Sequence, residues 1–94
     1  YRLIMSTIFN AIGCRVEVEK MIATGRIDMV VETTQYIYVL ELKLSDNGGV
    51  DAAAEQIRAK QYVEPFKADK RKVIALAIEL DDRGKGLVDW KEVF

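Results

Sequence analysis

Asp28, Glu41 and Lys43 are charged residues set in segments that otherwise read as buried strands, and charge in such a place needs a chemical reason. The runs Ile27-Asp28-Met29-Val30-Val31-Glu32 and Tyr36-Ile37-Tyr38-Val39-Leu40-Glu41-Leu42-Lys43-Leu44 are rich in β-branched and aromatic residues. Thr33-Thr34-Gln35 separates them, which is the pattern of a β-hairpin. With Thr34 and Gln35 as a two-residue loop, Ile27 falls opposite Leu42, Met29 opposite Leu40 and Val31 opposite Tyr38, so one face is wholly apolar. The other face carries Ile37, Val39 and Val30, then Asp28 opposite Glu41, with Lys43 two residues along on the same side.

Opposed residues of an antiparallel pair have Cβ atoms about 4.5–5.5 Å apart, and like charges placed so repel. A hard divalent cation answers that repulsion, and Mg²⁺ usually takes one or two protein carboxylates plus waters and phosphate oxygens. Lys43 would stand beside the ion, where its ammonium can stabilise a developing phosphate charge or orient an attacking water. The plainer reading is that charges at a strand end are solvated or paired, since Glu-x-Lys alone is unspecific. The register decides between them, because a shift of one residue sends Asp28 to the other face.

Composition narrows the chemistry further. The 94 residues suit one domain with a single modest core. Histidine is absent, which removes histidine-based triads and zinc sites, and the one cysteine, Cys14, excludes an internal disulfide and reads as a core thiol. Carboxylates and lysine remain as the reactive groups. No apolar run reaches the roughly 18 residues of a membrane helix and nothing resembles a signal peptide, so a cytoplasmic domain with no membrane partner is expected. The net charge of −1 gives no broad attraction for nucleic acid. The local exception is Lys67, Lys70, Arg71 and Lys72, after Arg58 and Lys60, which either contact phosphates or form a solvated loop.

The elements that must position these residues follow from pattern. Leu3, Ile4, Ile8, Ala11 and Ile12 form an amphipathic helical pattern ending at Gly13. Tyr1 falls within it and no initiating methionine precedes it, so the chain reads as the C-terminal fragment of a longer one. A strand over about Arg15 to Ile22 turns at Ala23-Thr24-Gly25 into the Asp28 strand, making a three-stranded meander. Asp46-Asn47-Gly48-Gly49 breaks the chain before a helix over Asp51 to Val63, which Pro65 ends. Lys72 to Leu80 reads as a strand buried on both faces and, coming after a helix, as parallel to an earlier strand. Val88-Asp89-Trp90 is an edge strand or a turn. The expected fold is α/β, an α-β-β-β-α-β core with a mixed central sheet flanked by helices.

That order, with Asp28 in the second strand, Glu41-Leu42-Lys43 in the third and a helix carrying Gln56, resembles the restriction-endonuclease-like core of the PD-(D/E)xK nuclease superfamily. The stretches around Gly25 to Glu32, Tyr36 to Leu44, Glu55-Gln56-Ile57, Gln61-Tyr62 and Arg71 to Ile74 look like a bacterial subgroup. In that subgroup a nuclease-like domain closes a chain that begins with an AAA-type ATPase-like domain. The resemblance, running from about Ile12 to Trp90, implies that Asp28, Glu41 and the Leu42 backbone carbonyl bind Mg²⁺ or Mn²⁺. It implies that Lys43 assists the attacking water, and that Gln56 positions that water or a phosphate. From helix physics alone Gln56 is equally a solvent-facing helix former.

Three departures from the family pattern stand out. Ile27 replaces the proline that names the motif. The acid often supplied by the first helix is missing between Tyr1 and Gly13. The tyrosine that often follows the helix glutamine by four positions comes two residues later, as Tyr62, with Lys60 in its place.

Glu19 is a further carboxylate that a short turn at Ala23-Thr24 would bring near Asp28, either as a third ligand or as an exposed strand residue. Arg26, Lys60, Lys70, Arg71 and Lys72 are the candidate phosphate contacts. Tyr36, Tyr38 and Trp90 either stack on bases or belong to the core. The leading expectation is a metal-dependent phosphodiesterase hydrolysing DNA or RNA. The alternatives are a catalytically silent nuclease-fold module for docking or assembly, and a phosphodiesterase acting on a small nucleotide.

Overall fold

The structure is a computed structural model and describes residues 14–81, 83 and 86–94. Five strands form one sheet in the order β1 (Arg15–Ile22), β2 (Gly25–Glu32), β3 (Tyr36–Leu44), β4 (Lys72–Leu80) and β5 (Leu87–Val93). All neighbours are antiparallel except β3 and β4, which run parallel from Tyr36↔Lys72 to Leu44↔Leu80. Parallel neighbours need a crossover, and helix α1 (Gly49–Ala59) supplies it. The meander, the parallel fourth strand and the edge position of β5 agree with the sequence pattern. The expected helices on both faces do not: among the described residues α1 is the one α-helix, and the helix expected over Leu3 to Ile12 lies outside them. No described helix is long and apolar enough to cross a membrane.

The β2–β3 hairpin closes on Thr34 and Gln35, with the Thr33 amide donating to the Tyr36 carbonyl at 2.9 Å. The Thr33 hydroxyl accepts from the Tyr36 amide at 2.9 Å, a local bond that fixes the loop. From there Glu32↔Ile37, Val31↔Tyr38, Val30↔Val39 and Met29↔Leu40 pair in the expected register.

Each face of the sheet is apolar. Under α1 lie Val30, Ile37, Val39, Ala75 and Ala77, packed against Ala53, Ala54 and Ile57 of the helix. On the far face Met29, Val31, Leu40, Leu42, Ile78 and Leu80 form a second cluster with Cys14 at its margin. Strand β4 feeds both clusters, which is why its sequence is continuously apolar rather than alternating.

Both ends of α1 are fixed from outside the helix. At its start Gly48 and Gly49 have φ of 95° and 62°, left-handed values that suit glycine. A Cβ on Gly49 would lie 2.2 Å from Glu79 Oε1. Glu79, reaching up from β4, accepts from the Val50 amide at 2.9 Å and from the Ser45 hydroxyl at 2.6 Å. Those two bonds hold its carboxyl below its ordinary pKa, and its charge sits at the positive end of the helix dipole.

At its end α1 stops four residues earlier than the Val63 that the sequence pattern suggested. Gln61 takes a left-handed φ of 52°, its amide donates to the Arg58 carbonyl at 3.2 Å, and the Tyr62 amide donates to the Ile57 carbonyl at 3.2 Å. This is a Schellman turn, in which the apolar residue after the left-handed position folds back onto the last helical turn. Tyr62 and Ile57 are both fully buried there. A β-carbon at the left-handed position opposes this turn by about 1 kcal/mol. Gln61→Gly is therefore expected to raise the unfolding free energy by about 0.5–1 kcal/mol, net of the freedom glycine adds to the unfolded chain. A denaturant midpoint that is unchanged or lowered would contradict this account of the helix end.

Candidate functional site

The pairing of β2 with β3 stops at Met29↔Leu40. Where the register would continue with Ile27, the Leu42 amide instead donates to Asp28 Oδ2 at 3.0 Å. A side-chain carboxylate thus takes the place of a ladder carbonyl, and the two strands part around it. The same position interrupts β1: Glu19 has a left-handed φ of 54°, and the β1–β2 ladder resumes at Lys20↔Ile27 after Val18↔Met29. This distortion corrects the expected face of Ile27. It packs in the cluster under α1 with Val30, not on the far face with Met29 and Leu42, because strict alternation fails where β2 bends at Asp28.

Glu41 follows the alternation of β3 onto the helix-covered face beside Val39 and Ala77. Its residue exposure is 2%, and its Oε1 is buried with no hydrogen-bond partner. Its Oε2 lies 3.9 Å from Lys43 Nζ. Burial pushes the Glu41 carboxyl up from 4.5 to about 7; the Asp28 charge and a hydrogen bond to Asp28 add to the rise, and Lys43 and a hydrogen bond to Tyr62 offset part of it. The two carboxylates lie close enough to interact, and burial together with the neighbouring Asp28 charge favours the protonated form of Glu41.

Gln56 of α1 reaches the same region. Its Nε2 donates to the Tyr62 hydroxyl at 2.7 Å, and that hydroxyl donates to the Arg26 carbonyl at 2.8 Å. Burial raises the Tyr62 phenol to about 12, with smaller upward contributions from Glu41 and Asp28. The sequence pattern marks Tyr62 only as a tyrosine displaced from the family spacing. Its buried position follows from the Schellman turn, which a helix drawn through to Val63 conceals.

The remaining candidates divide. Arg26 and Lys60 lie beside the site: the Lys60 carbonyl accepts from the Thr24 hydroxyl, and the Lys60 side chain runs alongside Gly25. Arg26 is more than half exposed and pairs with Glu19 at 3.5 Å. Glu19 stands at the register position of Asp28, but no set of three or more acidic, cysteine or histidine side chains among the described residues is arranged to hold a metal ion.

Lys70, Arg71 and Lys72 lie elsewhere. Lys72 pairs with Tyr36, five residues before Glu41 along β3 and so about 17 Å from it. Arg71 Nη2 bonds Glu32 at 2.8 Å and Asp69 at 2.9 Å, and Nη1 donates to the Thr33 carbonyl at 3.2 Å. Those bonds raise the Arg71 pKa and hold Asp69 near 2. Arg71 fastens the loop before β4 to the β2–β3 turn. The Tyr36 and Tyr38 rings pack tilted against each other with centroids 5.8 Å apart, and Trp90 is exposed on β5.

A divalent cation fits this centre. The buried Glu41 Oε1, which has no hydrogen-bond partner, and the adjoining Asp28 carboxylate offer two hard oxygen donors. Mg²⁺ and Mn²⁺ accept such sparse protein ligation with waters completing the shell. The Leu42 carbonyl is a natural third donor, because the N–H and C=O of one strand residue point the same way and the Leu42 N–H points at Asp28.

The parted strands, the paired carboxylates and the adjacent lysine form an acidic centre at a break in the sheet of an α/β domain. The chain belongs to the PD-(D/E)XK nuclease superfamily, which it matches over residues 1–90. Membership suggests a nuclease-like function, and members typically use divalent metals. A curated relative, "Uncharacterized protein in vnfD 5′ region" of Azotobacter chroococcum mcd 1, is 26% identical over 90 residues. That match covers 96% of this chain and 17% of the relative's length. No solved structure matches.

The Glu41 proton gives the site a pH signature. Its folded pKa of about 7 lies above the ordinary 4.5, so the fold binds this proton more tightly than the unfolded chain does. Its contribution to stability is full below 4.5 and is lost as pH rises through about 7. In metal-free buffer Glu41→Gln is expected to be more stable than wild type at pH 8, by on the order of 1–3 kcal/mol, with the difference vanishing near pH 4.5. Parallel stability–pH curves for the two proteins would refute the buried-proton assignment.

Proposed function

We propose that this domain is a metal-dependent phosphodiesterase of nuclease type that hydrolyses DNA or RNA. The observation that carries the reading is the parting of β2 from β3, with Asp28 bonded to the Leu42 amide and Glu41 buried beside it. Asp28, Glu41 and the Leu42 carbonyl would hold Mg²⁺ or Mn²⁺. The bound cation would supply Lewis acidity, polarising a phosphate oxygen and lowering the pKa of a bound water.

The rest falls to the chain. Lys43, anchored near Glu41 Oε2 and partly exposed, would orient the attacking water and neutralise charge gathering on the phosphate. Gln56 would contact that water. The water oxygen would bond to phosphorus as the bond to one sugar oxygen breaks, the water giving up a proton to solvent and the departing oxygen taking one up from solvent. Arg26 and Lys60 at the rim would contact neighbouring phosphates by charge without reading sequence.

Two finer expectations accompany this reading. An AAA-type ATPase-like domain earlier in the same polypeptide rests on the subgroup resemblance of the stretches around Asp28, Glu41 and Gln56. A cytoplasmic location suits a nucleic-acid substrate.

The second reading is a silent nuclease-fold module that docks nucleic acid or partner domains. It draws on the engagement of Arg71 in internal ion pairs, which removes a guanidinium from the basic cluster.

Calorimetric titration of Mn²⁺ is expected to show binding by wild type and a loss of at least tenfold in Asp28→Ala and Glu41→Ala; equal weak binding by all three would end the metal proposal. With labelled DNA and RNA strands, Lys43→Ala is expected to cut the cleavage rate about 100-fold with metal binding retained. No cleavage by wild type across both polymers and both metals would favour the silent module.

A further inference from the structure

Strand β5 is the last of the sheet, and among the described residues no strand pairs with its outer edge. Such an edge presents amides and carbonyls that another strand can take up, and folds usually blunt it with a backbone distortion or with charge. The opposite edge, β1, is blunted in both ways, by the left-handed φ of Glu19 and by Arg15, Glu17 and Lys20. Strand β5 has no left-handed residue, and it follows β4 in unbroken register from Glu79↔Asp89 to Ala75↔Val93. At its centre the Trp90 amide donates to the carboxylate of its own neighbour Asp89 at 2.8 Å. That bond marks the amide as directed outward, since one aimed at β4 meets a carbonyl there.

The side chains of β5 divide by face. Val93 packs under α1 and Lys91 Nζ bonds Asp51 of α1 at 3.0 Å, so Asp89 and Lys91 stand on the helix side. Trp90, opposite Ile78 of the second cluster, stands on the far side with Val88, and both are exposed.

A two-fold axis normal to the sheet sets a second β5 antiparallel to the first and keeps like faces together. With the axis at Trp90, the two Trp90 residues oppose each other, and Asp89 of each copy opposes Lys91 of the other. Opposed Cβ atoms are about 4.5–5.5 Å apart, within reach of an ion pair. Moving the axis one residue either way opposes Asp89 to Asp89 or Lys91 to Lys91, which repels. The order Asp-Trp-Lys therefore selects one register of self-pairing.

We propose that β5 is a self-pairing edge that joins two copies of this chain across a two-fold axis at Trp90, merging two five-stranded sheets into one. On pairing, the Trp90 amide exchanges the Asp89 carboxylate for the Trp90 carbonyl of the second copy, which releases Asp89 to Lys91. The bond of Lys91 to the exposed Asp51 contributes little and does not oppose the exchange. Val88 and Trp90 lose water at the seam. Asp89 and Glu92 beside Trp90 repel phosphate, so the edge fits a second copy better than a nucleic acid. A seven-residue strand edge is smaller than a standard stable interface, so the dimer forms reversibly with concentration. The inference is independent of the nuclease reading.

Sedimentation equilibrium of the chain from about 1 μM to about 1 mM is expected to show a mass rising from one chain toward two. Emission from Trp90, the chain's single tryptophan, is expected to shift to shorter wavelength over the same range. Asp89→Lys and Lys91→Asp are each expected to weaken dimerisation about tenfold by opposing like charges, and the double variant, with the charges exchanged, to restore it within about threefold. Circular dichroism at low concentration checks that all four proteins are folded. A wild type that stays monomeric throughout overturns the inference, as does a dimer that either single variant leaves intact or that the double variant fails to restore. Quenching of Trp90 by a DNA or RNA oligonucleotide without dimer formation would reassign the edge to nucleic acid.

Discussion

The contact on which the centre depends is the bond from the Leu42 amide to the Asp28 carboxylate. A strand amide inside a sheet must be bonded, and the usual partner is a carbonyl of the neighbouring strand. When Asp28 takes that role, β2 is released from β3, and room opens in a sheet that would otherwise be closed by its own ladder. The main-chain geometry of Leu42 is then directed at an acidic side chain instead of at β2. The ion pair of Lys43 with Glu41 and the bend that moves Ile27 under the helix both lie at this opening. A hydrogen bond that satisfies one amide thereby creates the space in which two carboxylates confront each other.

That opening needs a frame, because carboxyl groups favoured by hydration would otherwise turn out into solvent. The frame is α1, fixed at both ends by groups from the sheet side. Glu79 anchors its first turn through the Val50 amide and the Ser45 hydroxyl, and Tyr62 anchors its last through the Arg26 carbonyl. Between them Ala53, Ala54 and Ile57 allow close approach to Val39 and Ala77. Small residues on the helix bring it near the sheet, and nearness is what buries Glu41. The parallel β3–β4 pair contributes the other wall, since continuous pairing there keeps Glu41 from following β2 away.

Much of this was legible in the chain. The alternation in Tyr36 to Leu44 and the two-residue loop at Thr34-Gln35 fix a register that carries Asp28 to Glu41, and that register holds as far as Met29↔Leu40. What alternation cannot show is that pairing ceases one step later, because the cause is a side chain substituting for backbone, invisible to a pattern of polar and apolar letters. The face of Ile27 was misread for that reason. The end of the helix was misread because Pro65 is a strong stop signal, whereas a left-handed glutamine is a weak one: the Schellman turn usually advertises itself by glycine. Arg71 reads as a candidate phosphate contact because two of its partners, Glu32 and Thr33, are far away in sequence and come close only through the sheet.

The same turn accounts for the unusual spacing between Gln56 and its tyrosine. Along an uninterrupted helix the residue four positions on lies one turn above on the same face, and in this chain that residue is Lys60, just past the end of α1. Gln61 then reverses the chain, so the sixth residue returns to the level of the last turn with its side chain directed inward. A tyrosine displaced by two residues therefore reaches the glutamine by a different backbone route. The contact depends on the left-handed residue between them, so the geometry of the Gln56 amide is tied to the termination of the helix rather than to its periodicity. An extension of α1 by one turn, with Tyr62 left in sequence, would rotate the phenol away from Arg26 and Gln56 alike. The early stop of this helix is thus a requirement of the contact between Gln56 and Tyr62 and not an accident of the following loop.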